Sequence, residues 1–232
     1  NGKPKIIRVS TDFPTEALAQ EAEMSLEEYE DFVFNAINQD WEKEKIRLNK
    51  IKSLFDGKNK VRIIAEDTDI EMSVKGRKFI VDAGEENMPG GEIFSAPLEK
   101  TVKGKIKFTY PAIRQGREVT DVELEFKNGK VVKAKASKNE NFLKQMLNTD
   151  KGVKYVGELG IGCNYKINKF TKNLLFDEKL GATIHLALGM AYKECKGTNK
   201  SAIHWDIVKD LRKNGKIIVD GKVVQKNGKF LI

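Results

Sequence analysis

Cysteine is nearly absent from this sequence, which argues against a fold held together by disulfides. The 232 residues include two cysteines, Cys163 and Cys195, and they match no CxxC spacing. Such sparse cysteine use favours a reducing compartment over a disulfide framework. We therefore expect a cytoplasmic protein.

Long hydrophobic segments are missing as well. No apolar run approaches the roughly 20 residues that a membrane-spanning helix needs, and no signal peptide opens the sequence. We expect no membrane partner. Because the sequence starts with Asn1 rather than Met, we also expect it to be a piece of a longer protein.

Aromatic residues are too few for a typical nucleic-acid surface. They make up 8% of the chain, and no basic stretch is interleaved with them. The net charge of +8 arises from 42 basic and 34 acidic residues, and the lysines are dispersed rather than clustered. This pattern is typical of a soluble protein with a lysine-rich surface, and we expect no nucleic-acid partner. The 40% hydrophobic content suffices for one large domain or two small ones.

Histidine is equally scarce, and both histidines stand in apolar surroundings. Residues 203–208 alternate between apolar and polar, as on a half-buried strand, so His204 and Asp206 point to the same face. An imidazole beside a carboxylate on a rigid strand forms half of a divalent-metal site. His185 lies within a similarly apolar stretch. The alternative is that both are core histidines with satisfied nitrogens.

The first quarter of the sequence is helical in pattern. Ser25 and Glu28 have the spacing of a capping box, and Met24 and Tyr29 are placed to form a hydrophobic staple. Apolar residues then recur with helical period up to Phe55. The pattern is compatible with one long helix or with two. A domain boundary is expected near residue 57.

The pattern of the remaining sequence predicts a β-rich structure. Short strands are predicted at residues 61–65, 70–74, 78–81, 101–110, 122–126 and 130–134. Asn128-Gly129 predicts a two-residue hairpin, a turn is expected at Lys75-Gly76, and two more hairpins should turn at residues 220–221 and 227–228. A short helix is predicted over 139–147. The predicted fold class is α+β, a β-rich domain with several hairpins and flanking helices.

Two glycine-rich stretches each present one glutamate. Residues 87–97 form a Pro/Gly-framed loop around Glu92, and residues 157–162 place Glu158 among three glycines, where backbone can approach a ligand closely. Either glutamate alone could instead be a solvated loop residue. The second stretch lacks the Lys-Ser/Thr ending of a P-loop, so a phosphate site is only weakly indicated.

Four segments together carry a resemblance to a known family. MPGGEIFSAP, GELGIG, LLFDEKLGATIHLALGMAY and SAIHWDIV occur in this order, and they closely resemble the thermophilic metallopeptidase family of the aminopeptidase T and aminopeptidase S type. The resemblance extends from about Ser10 to the C-terminus. It implies a metalloaminopeptidase that binds two divalent metal ions, removes N-terminal residues from peptides and forms a homodimer.

The resemblance also implies site residues and a domain division. The implied metal ligands are Glu92, Glu158, Glu178, His185, His204 and Asp206. Tyr192 matches the catalytic tyrosine. Family members carry an additional N-terminal α/β domain that is largely absent from this sequence. Residues 1–57 are then a helical lead-in, a remnant of that domain, and residues 58–232 a dinuclear-metal peptidase domain.

The chemistry of these residue types is consistent with that expectation. Zinc, cobalt and manganese accept mixed imidazole and carboxylate ligands, and paired ions can activate water and polarise a carbonyl. Glu158 is the candidate bridging ligand or proton handler, and Tyr192 the candidate oxyanion donor. Glu178, His185 and Tyr192 are each seven apart, so a continuous helix would place them on one face.

Two other functions remain open at this stage. A catalytically silent module of the same fold could use the lysine-rich surface to hold an acidic partner. A different dinuclear hydrolase could act on phosphoesters, which positive charge would favour. The full set of candidate ligands favours the peptidase over both.

Overall fold

Most strands of the protein are joined into two antiparallel sheets. The computed structural model describes residues 8–232, and it confirms the predicted α+β class. In chain order the strands are β1 (Ser10–Thr11), β2 (Lys60–Ala65), β3 (Thr68–Ser73), β4 (Ile80–Asp82), β5 (Asn87–Met88), β6 (Glu92–Ser95), β7 (Lys103–Lys107), β8 (Ala112–Arg114), β9 (Arg117–Val119), β10 (Glu123–Lys127), β11 (Lys130–Lys135), β12 (Val156–Gly162), β13 (Thr183–Gly189), β14 (His204–Asp210), β15 (Lys216–Val219), β16 (Lys222–Lys226) and β17 (Lys229–Phe230).

The larger sheet has eight strands, in the spatial order β11-β10-β7-β3-β2-β15-β16-β17. The smaller has five, in the order β14-β13-β12-β6-β4. Their apolar faces contribute to one hydrophobic core, to which Ile63 and Ile217 belong from the larger sheet and Leu159 and Leu186 from the smaller. The five-stranded sheet therefore has a second face available for a site.

The helices cover the sheets and lie mainly in the first quarter of the chain. They are α1 (Glu16–Glu21), α2 (Leu26–Ile37), α3 (Trp41–Ser53), α4 (Glu140–Met146) and α5 (Leu174–Asp177). The helical pattern after residue 25 thus forms two helices, because Asp40 caps a new one through its side chain. The capping box of Ser25 and Glu28 is confirmed. Among residues 8–232, no helix is both long and apolar enough to cross a membrane.

The predicted division at residue 57 stays a prediction, and the first seven residues of that lead-in lie outside the described residues. The helix α3 packs onto the core that both sheets share, through Leu48 and Ile51. The helices α1 and α2 instead form a smaller cluster with residues that follow β12, among them Phe176 and Leu180. The first group of contacts attaches the lead-in to the sheets, and the second attaches it to the segment between β12 and β13.

The turn signals locate most hairpins correctly. Asn128 and Gly129 connect β10 and β11 with positive φ at both residues, as a type I′ turn requires. The predicted turns at 220–221 and 227–228 connect β15, β16 and β17. The strands on either side of Lys75-Gly76 do not form a hairpin, since β3 belongs to the larger sheet and β4 to the smaller.

On the outer face of the eight-stranded sheet, acidic and basic side chains lie opposite each other on neighbouring strands. Lys105 of β7 lies directly between Asp69 of β3 and Glu125 of β10. Lys103 also pairs with Glu71, at 3.2 Å. Opposite charges on facing strands stabilise a sheet by a few tenths of a kcal/mol to about 1 kcal/mol per pair. Some of the dispersed lysines are thus matched by carboxylates.

Candidate metal centre

The five-stranded sheet separates apolar side chains on one face from titratable side chains on the other. In β13, Ile184 and Leu186 face the shared core, while His185 between them points to the opposite face. In β14, Trp205 and Ile207 belong to the core and alternate with His204 and Asp206. The alternation predicted for residues 203–208 is confirmed. The half-buried exposure is wrong, because Asp206 is also buried.

A bulge in β12 places Glu158 on the same face as the histidines. Val156 pairs with Leu188, yet Glu158 pairs with Ala187, so Gly157 is an extra residue in the ladder. Without it, regular pairing would put Glu158 opposite Leu186 on the core face, since side chains alternate along a strand. A Cβ at Gly157 would lie 2.3 Å from a carbonyl oxygen. The glycine therefore permits the bulge that orients Glu158.

Gly160 provides the space for the imidazole of His185. The two residues pair across β12 and β13, and a Cβ on Gly160 would lie 1.9 Å from Nε2 of His185. The sequence suggested that these glycines admit a ligand. The structure shows that this one admits a side chain of the site.

Glu158 lies between the two histidines. Its Oε1 is 3.4 Å from Nε2 of His185, and its Oε2 is 3.2 Å from Nε2 of His204. The other nitrogen of His204 is 2.8 Å from the carbonyl oxygen of Met190. A proton on that nitrogen would donate to the carbonyl and leave Nε2 available to a metal. One carboxylate thus contacts both imidazoles, as a bridging ligand would.

The six candidate ligands converge although they span residues 92–206. Three groups of three have ligand atoms that all lie within 4.8 Å of one another. The groups are Glu92, Glu158 and His185; Glu158, His204 and Asp206; and Glu178, His185 and Asp206. Their role as ligands stays a prediction, and each group is compact enough to hold a metal ion.

Two glutamates predicted in glycine-rich loops lie in strands. Glu92 opens β6 and Glu158 lies in β12, and both are buried. Glycine and proline signals indicated irregular structure in these stretches. The predicted loop at 87–97 was therefore wrong at Glu92, because pairing with β4 and β12 incorporates it into a sheet.

The continuous helix through Glu178, His185 and Tyr192 does not form. The helix α5 ends at Asp177 with Glu178 as its C-cap, and His185 lies in β13. Tyr192 follows that strand and precedes one turn of 3-10 helix (Lys193–Cys195). The residues still come together, through the fold rather than through helical spacing.

Tyr192 borders the cluster from the side of His204. Their ring centroids are 4.9 Å apart, and the Tyr192 ring also meets Phe94 edge-on at 5.7 Å. Burial and the negative charge of Glu158 both raise the pKa of Tyr192. The tyrosine therefore keeps its proton and can act as a hydrogen-bond donor.

Sequence reasoning missed two further residues of this region, Asp82 and Lys179. Asp82 pairs with Glu92 across β4 and β6. Lys179 is fully buried, and its Nζ contacts Glu178 and lies 3.3 Å from Oε1 of Glu92. The sequence feature that could have identified Lys179 is its position directly beside the candidate ligand Glu178, within a largely apolar segment.

Burial and mutual charge shift the pKa values of the site groups apart. Burial alone would lower the pKa of the histidines, but contact with Glu158 raises it to about 10 for His185 and about 9 for His204. Burial would raise the pKa of Glu158, but both imidazoles lower it to about 2. Burial raises the pKa of Asp206 to about 6. Without metal, the imidazoles serve as the counter-charges of the carboxylates.

The donor atoms of the cluster fit a divalent metal. Oε2 of Glu92 and Oδ1 of Asp206 are buried and have no hydrogen-bond partner within residues 8–232. Buried polar atoms are normally paired, so two carboxylate oxygens left without a protein partner in one cluster are suited to bind a cation. Mixed imidazole and carboxylate donors suit zinc, cobalt or manganese.

Comparison with known proteins identifies the family of the chain. The family described as thermophilic metalloprotease (M29) matches residues 6–230. Aminopeptidase AmpS of Bacillus subtilis (strain 168) is 32% identical over a match covering 68% of this chain and 45% of that protein. Aminopeptidase T of Thermus aquaticus is 31% identical, covering 52% of this chain and 33% of that protein. The chain thus spans less than half the length of these relatives.

Two solved structures share the fold. Wild-type AmpT from Thermus thermophilus has a TM-score of 0.79 and 21% identity, covering 89% of this chain and 59% of that one. A 2,5-dihydroxypyridine dioxygenase from Pseudomonas putida KT2440 has a TM-score of 0.71 and 15% identity, covering 87% and 62%. At these identities the likeness shows the fold alone, and a fold does not determine a reaction.

Proposed function

Because this chain belongs to the thermophilic metalloprotease (M29) family, we propose that it is a metal-dependent aminopeptidase domain that releases N-terminal residues from peptides. The observation that carries the proposal is the convergence of six buried or nearly buried candidate ligands in one cluster. The relatives named as aminopeptidases support the substrate class. These relatives are longer than this chain, which spans less than half of each. The activity of the whole protein is therefore part of the proposal.

The charge of the cluster supports two divalent ions. Five carboxylates lie together with one ammonium, that of Lys179. The carboxylates are those of Asp82, Glu92, Glu158, Glu178 and Asp206. With neutral histidines, four negative charges remain, and buried charge needs compensation. Two divalent ions supply that amount.

The residues of the chain would hold the ions through the three groups described above, in which Glu158, His185 and Asp206 each belong to two groups. Bound divalent ions supply Lewis acidity toward a water molecule, the scissile carbonyl and the free α-amino group. Glu158 touches both imidazoles, so we assign it either the bridging position or the handling of the proton from water. Tyr192, which keeps its proton, would donate a hydrogen bond to the developing oxyanion.

Metal content and peptide hydrolysis test the proposal together. Elemental analysis and anomalous scattering of the purified chain should find two divalent ions per chain at the cluster. A longer version that includes the N-terminal domain should hydrolyse peptides with a free N-terminus, lose this activity with a chelator, and regain it with zinc, cobalt or manganese. Acetylated peptides should resist, because the α-amino group is blocked. Equal cleavage of blocked and free peptides would indicate an endopeptidase.

The same measurements separate the other two candidate functions. Bound metal without hydrolysis of any peptide would indicate the silent binding module, and turnover of phosphoesters alone the other hydrolase. On the larger sheet Lys103 pairs with Glu71, and Lys107 with Glu123 at 3.7 Å, so these two lysines already have acidic partners within the chain.

We further propose a cytoplasmic homodimer. Both cysteines are buried and unpaired with each other, which suits a reducing compartment. The dimer rests on family resemblance, and analytical ultracentrifugation tests it.

A further inference from the structure

Lys179 is a buried cation whose partners are acidic groups at the metal centre. Its side chain is fully buried, and its Nζ contacts Glu178 and lies 3.3 Å from Oε1 of Glu92 and 3.8 Å from Oδ2 of Asp82. A buried ammonium is costly unless it is paired. Two of its three carboxylate partners, Glu92 and Glu178, are candidate metal ligands.

The two oxygens of Glu92 have different surroundings. Oε1 faces Lys179, whereas Oε2 is 3.4 Å from Nε2 of His185 and has no hydrogen-bond partner among the described residues. Glu92 is therefore oriented with one oxygen toward the lysine and the other toward the cluster. Glu178 offers its Oε1 to the same ammonium.

The backbone and a second carboxylate fix the position of Lys179. Its N–H donates to the carbonyl oxygen of Phe176 at 3.0 Å, and its own carbonyl accepts from the N–H of Asn164 at 3.0 Å. Oδ1 of Asp82 accepts from the N–H of Gly84 at 3.0 Å, which leaves Oδ2 toward the ammonium. Both partners of the Asp82–Lys179 pair are thus anchored independently of any ion.

We propose that Lys179 is a positioning residue of the metal centre, whose ammonium holds one oxygen of Glu92 and of Glu178 so that the other oxygen of each faces the ions. Asp82 is its remote counter-charge. The inference rests on the proposed function, because it concerns ligands of the proposed ions. Removal of a side chain that orients a metal ligand without touching the metal typically lowers metal affinity by about 10–100-fold.

Whether metal binding weakens or strengthens when Lys179 is removed distinguishes a lysine that positions the ligands from one that only adds positive charge. A lysine that merely repels incoming cations would, when removed, strengthen metal binding. A lysine that orients Glu92 and Glu178 would, when removed, weaken it. The Asp82→Asn/Lys179→Met double variant removes both members of the pair and leaves the net charge of the cluster unchanged.

In the experiment, Co²⁺ is titrated into the metal-free chain, and its binding is measured by calorimetry and by visible absorption. Lys179→Met and the double variant should each bind at least one Co²⁺ about 10–100-fold more weakly, with an altered absorption band. Lys209→Met is the matched control, since Lys209 is also buried but contacts the backbone oxygen of Glu66 at 3.0 Å. It should keep wild-type affinity.

Unchanged or tighter binding in Lys179→Met would overturn the proposal, and so would wild-type affinity in the double variant. If Lys179→Met fails to fold because Asp82 is left unpaired, the metal affinity of the double variant alone tests the proposal. Absence of Co²⁺ binding by the wild-type chain would remove the proposed function and this inference with it. Binding by the wild type with unaffected variants would remove only the inference.

Discussion

Gly160 and His185 illustrate how single residues determine this site. The imidazole occupies the space above Gly160, where any side chain would collide with it. The neighbouring positions on this face, Gly162 and Ala187, are also small. Small residues on neighbouring strands therefore leave a depression in which two imidazoles and several carboxylates can meet.

Gly160→Ala should displace His185 and weaken metal binding. Forcing an extra methyl group into a packed site costs about 1–3 kcal/mol of folding free energy. The shifted imidazole should lower Zn²⁺ or Co²⁺ affinity by about tenfold or more. The measurements are urea unfolding and calorimetric titration.

Gly76→Ala is the control for this change. Gly76 has φ of +72°, and a Cβ added to it would meet no heavy atom within 4 Å, so alanine costs stability through backbone strain alone. This control should lose stability and keep its metal affinity. Equal metal affinity in both variants would contradict the role given to Gly160.

His204→Ala should remove one ligand and leave the fold intact. The core face of β14 keeps Trp205 and Ile207, so folding should survive, while one ion binds far more weakly and hydrolysis falls by orders of magnitude. Circular dichroism, metal content and peptide turnover provide the check. A folded variant with two ions and full activity would exclude His204 from the site.

Metal affinity should increase with pH. The pKa values of about 10 for His185 and about 9 for His204 mean that both imidazoles are protonated at pH 7 when no metal is bound. An ion must displace these protons, so binding is weaker at low pH and strengthens up to about pH 9–10. Calorimetry in buffers of different ionisation enthalpy should detect proton release. Affinity independent of pH between about 6 and 9 would show that the imidazoles do not bind the ion.

At the scale of elements, a helix cap and a strand bulge have different roles. The capping box of Ser25 and Glu28 begins α2 through local hydrogen bonds. The bulge at Gly157 depends on the register between β12 and β13. The first contributes stability, and the second decides which face Glu158 occupies.

Ser25→Ala should cost about 1 kcal/mol of folding free energy, because the N–H of Glu28 loses its acceptor. Ser25→Gly should cost only a few tenths of a kcal/mol, since glycine is tolerated at this position. Urea unfolding of both variants tests the difference. Metal affinity should be unchanged in each, and a loss of metal binding would show that α2 affects the site.

The whole molecule connects the site to the core. The candidate ligands come from four strands of one sheet and from the end of α5, and the opposite face of that sheet packs in the core shared with the larger sheet. Global unfolding therefore disperses the ligands. Metal binding and folding should be thermodynamically linked.

Metal should raise the unfolding temperature. At a free Zn²⁺ concentration about 100 times the Kd, one site adds about 2.7 kcal/mol, which corresponds to a rise of about 5–10 °C for a chain of this size. Scanning calorimetry with and without chelator measures the shift. An Asp206→Asn variant should show a smaller shift, and an equal one would place the metal elsewhere.

The sequence by itself determined the fold class, most strands and turns, and the residue types of the site. These follow from short-range effects: alternation along residues 203–208, positive φ at Asn128-Gly129, and the spacing of Ser25 and Glu28. The convergence of the candidate ligands came from resemblance to a family, since no local pattern connects Glu92 with His204.

Only the tertiary structure decided where these side chains point and what surrounds them. The bulge that turns Glu158 toward the site depends on pairing with Leu188 and Ala187 of β13, a later segment of the chain. The pairing of β6 into the sheet converted an apparent loop into a strand. The burial of Lys179 beside Glu92 requires contacts between distant segments. Long-range packing, which leaves no period in the sequence, thus assembled the centre.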